Sequence, residues 1–232
     1  MSNVVWRKIK AWEKRYRARY SHDIVDPDER RRSLFYNDYV DHGILRYRWH
    51  NFEEIAPGIY RSNHPNHDRF ERYKAMGITT ILNLRGATIH SHYRFEVESC
   101  EKLGLRLIDI ALSARRAPSV DLLLQVLDTL DSLDGPTLMH CKSGADRTGL
   151  VSAIYYLHVL NRPVEEAKKM MSFRFLHLKF TSTGILDYII DLYGKRQREG
   201  AISFRDWVET EYDQAAVKDA FDNLGFWDRL RL

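Results

Sequence analysis

The stretch that decides the fold is His140-Cys141-Lys142-Ser143-Gly144-Ala145-Asp146-Arg147-Thr148-Gly149. Residues 137–140 are a short strand-type run after the Gly135-Pro136 break, and residues 147–160 carry a helical pattern. A strand, a tight loop and a helix start, in that order, make an anion site. Backbone N–H groups at a helix N-terminus point outward, and the helix dipole adds positive potential. Gly144 lets the backbone curl so that several amides converge, with Lys142, Ser143 and Ala145 as its loop neighbours. Arg147, beyond the five residues that follow Cys141, brings a planar fork that binds two phosphate oxygens at once. The same field favours the thiolate of Cys141, the form that attacks. Thr148 can donate a hydrogen bond to that sulfur when it leaves.

Competing readings separate on spacing. Gly144 and Gly149 match the glycines of a nucleotide-binding loop, but Leu150-Val151 stands where that motif requires Lys and Ser/Thr. A cysteine loop one residue shorter would suit sulfur transfer; residues 142–146 suit an oxyanion of phosphate size. The bland alternative makes Cys141 a buried small residue and Arg147 a surface cation, and it leaves the combined pattern unexplained.

Outward from the loop the chain alternates. Residues 52–62 hold Pro57-Gly58 between two short apolar pieces, a strand–turn–strand signal. Residues 66–76 read as helix, 79–84 as a buried strand, 92–103 as helix, 105–110 as strand and 119–133 as a capped helix. Further helices are expected from Pro163, over 183–198 and over 203–223. Such alternation predicts an α/β fold: a small, mostly parallel sheet flanked by helices, with additional N- and C-terminal helices. The expected divisions are an N-terminal helical extension over 1–45, a catalytic domain over 46–198 and a C-terminal helical extension over 199–232.

The chain has 232 residues, 44% hydrophobic and 29% charged, enough for a sizeable core. Its net charge is +4, yet residues 1–20 alone carry seven Lys/Arg and one Glu, leaving −2 for the remainder. Two cysteines, Cys100 and Cys141, cannot form a disulfide framework and fit a reducing compartment. No window approaches the roughly 18–20 apolar residues of a membrane span. The expectation is a cytoplasmic protein, soluble or peripherally attached to a membrane.

The run His140-Cys141-(x)5-Arg147-Thr148-Gly149 resembles the signature of the protein tyrosine phosphatase superfamily. Upstream, Ala56-Pro57-Gly58-Ile59-Tyr60-Arg61-Ser62, then Pro65, then residues 77–85 (GITTILNLR) resemble its compact atypical dual-specificity branch. The likeness covers about residues 50–195. It implies a cysteinyl-phosphate intermediate, hydrolysis by water, a phosphorylated substrate (lipid, small molecule or protein), no cofactor and no metal. That pattern also puts an Asp on the loop after the strand at 105–110, where this chain reads Ala111-Leu-Ser-Ala-Arg-Arg-Ala-Pro118, with no carboxylate. A proton donor is still needed for an ester leaving group. Three carboxylates stay open for it: Asp146 inside the loop, as in the similar Asp-Arg-Thr triplet of myotubularin-like and Sac-like lipid phosphatases, Asp109 and Asp121. The missing acid also motivates a rival from another class, a pseudophosphatase that binds phosphate without turnover.

Arg115 and Arg116 stand where the acid loop should approach the site, and with Lys142 they point to a substrate rich in negative charge. The ten histidines include no convincing metal set. In residues 4–20, Val5, Ile9, Trp12, Tyr16 and Tyr20 share one helical face among seven cations. Two readings stand open for it: a helix on an anionic membrane surface, or one whose aromatics pack on the domain. No nucleic-acid module surrounds it.

Overall fold

The computed structural model describes residues 7, 8, 10–12, 14–16, 18 and 23–232. Val5, Ile9 and Tyr20 of the expected N-terminal face lie outside the described residues; the described residues 7, 8, 10–12, 14–16 and 18 are helical. The chain divides into two compact units.

The first unit takes residues 1–50, 65–77 and 87–107. It holds helices α1 (Pro27–Phe35), α2 (Gly43–Arg46), α3 (His67–Ala75) and α4 (Ser91–Leu103). The Asp26 side chain caps α1 by accepting from the N–H of Asp28 and Glu29, with Pro27 in the first turn. Arg30 grips Glu98 of α4 through two bonds, 2.7 and 3.0 Å, and holds that carboxyl down at about 2 despite the opposing cost of burial. Tyr16 lies 5.9 Å from the Phe35 ring, whereas Trp12 is 47% exposed.

The second unit, residues 51–64, 78–86 and 108–232, contains the main hydrophobic core. Strands β1 (Glu53–Ala56), β2 (Ile59–Asn63), β3 (Thr80–Asn83), β4 (Arg106–Asp109) and β5 (Thr137–Cys141) are ordered β1-β2-β5-β3-β4. The Pro57-Gly58 turn makes β1 antiparallel to β2, with Gly58 at φ +76°. β5 runs parallel to both β2 and β3. Every residue of β3 and β5 is buried, as expected for inner strands that read as continuous apolar runs. Around them stand α5 (Val120–Asp131), α6 (Asp146–His158), α7 (Val164–Lys168) and α8 (Ile185–Glu199).

Residues 203–223 form two helices, α9 (Phe204–Thr210) and α10 (Gln214–Asp222), not the single one expected. The break is chemical: Asp213 turns out of helical geometry to accept from the N–H of Ala215 and Ala216. Beside it Tyr212 turns inward, its hydroxyl donating to the Pro118 carbonyl at 2.7 Å, and Gln214 donates to that of Ala117 at 2.6 Å. Phe204, Trp207, Val208, Val217 and Phe221 join the same core as the sheet. The last helix, α11 (Phe226–Arg231), is less embedded: Trp227 is 69% exposed, and Phe226 meets Phe180 at 5.7 Å.

Candidate active site

β5 ends on Cys141 and α6 begins at Asp146, so the quoted loop joins the C-terminal end of an inner parallel strand to a helix N-terminus. Gly144 makes the curl at φ +73°. A Cβ there would meet Ser62 C and O at 2.7 Å, so the loop backbone lies directly on the end of β2. The Lys142 carbonyl accepts from the His64 N–H at 3.3 Å.

Three side chains outside the loop hold its shape. Arg61, with no exposed surface, donates to the Gly144 carbonyl and to the Met170 carbonyl, both at 2.7 Å. Its guanidinium lies 3.5 Å from the Phe175 ring centre, a cation–π contact out of water. Burial lowers the Arg61 pKa to about 10, while Cys141 and Glu53 work to keep it charged. Asn51 donates to the Ser143 and Phe175 carbonyls at 3.1 Å each. The third is His177. Its Nδ1 lies 2.8 Å from Asp146 Oδ1 and its Nε2 2.5 Å from Asp187 Oδ2, and its side chain is fully buried. Leu176 precedes it at φ +58°, a left-handed conformation that costs a non-glycine residue roughly 1–2 kcal/mol.

Cys141 is 1% exposed. Burial alone would push its thiol up, but the charge of Arg147 and the hydroxyl and backbone N–H of Thr148 bring it below its ordinary value, against some opposition from Asp146. Arg147 Nε is buried and finds no acceptor among the described residues, which leaves a charged donor available to an anion.

The fold thus brings Cys141, Lys142, Ser143, Gly144, Ala145, Asp146, Arg147 and Thr148 into one loop. The other expected residues stand on other elements. Asp109 Oδ1 accepts from Asn83 Nδ2 at 2.8 Å. Asp121 is on the exposed face of α5 with Gln125 and Asp128, opposite the buried Leu123, Val126 and Leu127. Arg115 and Arg116 are exposed in a bend, without a bond to the loop among the described residues. Sequence reading gave no role to Arg61, Asn51, His177 or Asp187. Only Arg61 left a signal, a cation inside a strand of the sheet.

A family profile described as "Polymorphic toxin system, DSP-PTPase phosphatase" matches residues 56–159. Dual specificity protein phosphatase TpbA of Pseudomonas aeruginosa is 30% identical over 131 residues, 55% of this chain and 53% of TpbA. Over this segment the chain is similar to dual-specificity phosphatases of the protein tyrosine phosphatase superfamily. Human dual specificity protein phosphatase 26 is 27% identical over 156 residues, 64% of this chain and 69% of that protein. The chain spans about half the length of TpbA. The solved structure of Tk-PTP in its active form shares the fold at TM-score 0.51 and 17% identity, over 63% of this chain and 97% of that one. The matched phosphatase segment includes Arg61, Cys141 and Arg147, but ends before His177 and Asp187.

His177 gives the second unit a pH signature. Burial disfavours its charge, but hydrogen bonds to Asp146 and Asp187 more than compensate, raising its pKa from 6.5 to about 9. Burial raises Asp187 as well, against the pull of His177. A histidine pKa raised by folding stabilises fully below its unfolded value, and that contribution is lost as pH climbs through the folded one. The stability difference between wild type and His177→Gln should therefore shrink from pH 6.5 to above 9, by on the order of 2–3 kcal/mol. Urea unfolding of both proteins across that range measures it; parallel pH profiles would show that His177 is neutral in the folded state.

Proposed function

We propose that the chain is a cysteine-dependent phosphatase that hydrolyses phosphate monoesters through a cysteinyl-phosphate intermediate. One observation carries this reading: a fully buried thiol held below its ordinary value beside a buried arginine nitrogen with no protein acceptor. The Cys141 thiolate attacks phosphorus as the P–O bond to the leaving group breaks. Arg147 and the amides of residues 142–147 hold the other phosphate oxygens. Asp146 gives its proton to the departing oxygen. Water then attacks phosphorus, loses a proton to Asp146, and the S–P bond breaks to return the thiolate, which Thr148 stabilises. Asp146 is the donor in this scheme because it alone of the three candidates lies in the loop, and it acts through Oδ2, since His177 occupies Oδ1.

Cys141→Ser should retain vanadate binding in part while hydrolysis of p-nitrophenyl phosphate disappears; a variant as fast as wild type would refute the covalent route. The binding-only alternative is favoured by the loop at 111–118, which has no carboxylate, and it requires wild type to be as inert as that variant.

Asp146→Asn should slow alkyl phosphates by roughly 10²–10⁴-fold and spare aryl phosphates with good leaving groups. Equal losses on both would assign Asp146 to loop architecture, and no loss would return the role to Asp109 or Asp121.

The substrate reading is a lipid or polyanionic phosphate at an anionic membrane surface, supported by Lys142, by the seven cations of residues 1–20 and by the exposed Trp12. The curated relatives are named as protein phosphatases, which supports a phosphoprotein substrate instead. Each cation near an anionic bilayer contributes about 1 kcal/mol. The intact chain should co-sediment with phosphatidylserine vesicles at low salt and detach at high salt. Replacing Arg7, Lys8, Lys10, Lys14 and Arg15 by Gln should abolish this. An intact protein that ignores such vesicles would leave the phosphoprotein reading.

A further inference from the structure

The phosphate loop contains a charge that works against it. Asp146 sits in the first turn of α6, five residues from Cys141, and opposes formation of the thiolate. It would equally repel a bound phosphate. A loop dedicated to an anionic nucleophile and an anionic ligand holds such a carboxylate only if something offsets it.

His177 meets that requirement geometrically. It comes from the segment between α7 and α8, 31 residues from Asp146, and is fully buried between two carboxylates. Asp187 on its far side lies in the first turn of α8, where the helix dipole favours a negative charge. The imidazole therefore links the starts of two helices through their first-turn acids. Its placement is firmly determined. Phe175, two residues earlier, is stacked under Arg61 and receives the Asn51 bond on its carbonyl. Seven residues later the chain closes at Gly184, where a Cβ would lie 1.7 Å from the Lys179 carbonyl oxygen. Leu176 takes up the left-handed backbone between these anchors.

We infer that His177, clamped by Asp187, is a positioning residue that fixes and neutralises Asp146, so that this carboxylate does not oppose the Cys141 thiolate or the bound phosphate. The charged groups that act on the network are Asp146 and Asp187 directly, Lys179 through Asp187, and Cys141 and Arg147 through the loop. The raised pKa of His177 keeps it protonated through neutral pH. This inference rests on Cys141 being a thiolate nucleophile; where Asp146 also hands a proton to the leaving oxygen, that proton comes through the protonated His177 that holds it.

The test reads the thiol and not turnover. Cys141 alkylation by iodoacetamide is followed across pH, with the modified residue identified by mass spectrometry and Cys100 replaced by Ser throughout. Below the thiol midpoint, His177→Gln should be alkylated about tenfold more slowly, one unit of thiol pKa being a factor of ten. Asp187→Asn, which keeps the imidazole but loosens its hold, should slow alkylation by a smaller factor. The decisive protein is Asp146→Asn/His177→Gln: with no carboxylate to offset, its alkylation profile should return to that of wild type. A purely architectural histidine predicts the opposite, since the second substitution would add to the damage. Unchanged alkylation in His177→Gln, or a double variant as slow as the single one, would overturn the inference. If His177→Gln does not fold, the same comparison is made with Asp187→Asn and Asp146→Asn/Asp187→Asn, where rescue again supports it and its failure overturns it. Hydrolysis is recorded in parallel: a wild type that alkylates as expected but never turns over would count against the phosphatase reading alone.

Discussion

The phosphate loop can curl only because its backbone rests on the backbone at the end of β2. Gly144 permits that contact, and the Arg61 side chain secures it from below by joining the Gly144 carbonyl to the Met170 carbonyl. Everything chemical in the loop follows from this. α6 starts immediately after the bend, which brings the charge of Arg147 and the backbone N–H of Thr148 to bear on Cys141. Burying an arginine is expensive, and Arg61 offsets the cost with two short bonds to carbonyls and an aromatic face.

Charge is distributed on the same plan. Arg61, Arg147 and His177 are cations; Cys141 as thiolate, Asp146 and Asp187 are anions. Taken singly, each would be a costly buried or half-buried ion. Arranged as they are, Asp146 and Asp187 are bound to His177, and among the described residues Arg147 Nε has no acceptor. The residual potential therefore acts where an oxyanion would sit.

Much of this was legible in the sequence because it is local. The strand–loop–helix order, the Cys141–Arg147 spacing and the glycine at the bend lie within ten residues, and hydrophobic periodicity placed the inner strands and most helices. The lack of a carboxylate on the loop after β4 was equally plain. What the sequence hid is non-local. Arg61 and Met170 are 109 residues apart, Asn51 and Phe175 124, and His177 and Asp146 31. No period connects such pairs, and His177 in the run Phe173-Arg-Phe-Leu-His-Leu-Lys-Phe180 looks like any polar interruption of an apolar segment. The division of residues 203–223 was missed for a related reason, since Tyr212 leaves the helix to reach Pro118, 94 residues away.

That last contact changes how the loop at 111–118 can move. Tyr212 and Gln214 fasten its final two carbonyls, so its C-terminal end is anchored to the core by helices from the far end of the chain. Leu112 is buried in the core on the other side, so only residues 113–116 lie between the two anchors, about 14 Å of fully extended chain. Arg115 and Arg116 are exposed within that span, next to the fastened Ala117. Any displacement of these two guanidinium groups is thus confined to a short span held at both ends. The C-terminal helices set one end of that span through Tyr212 and Gln214.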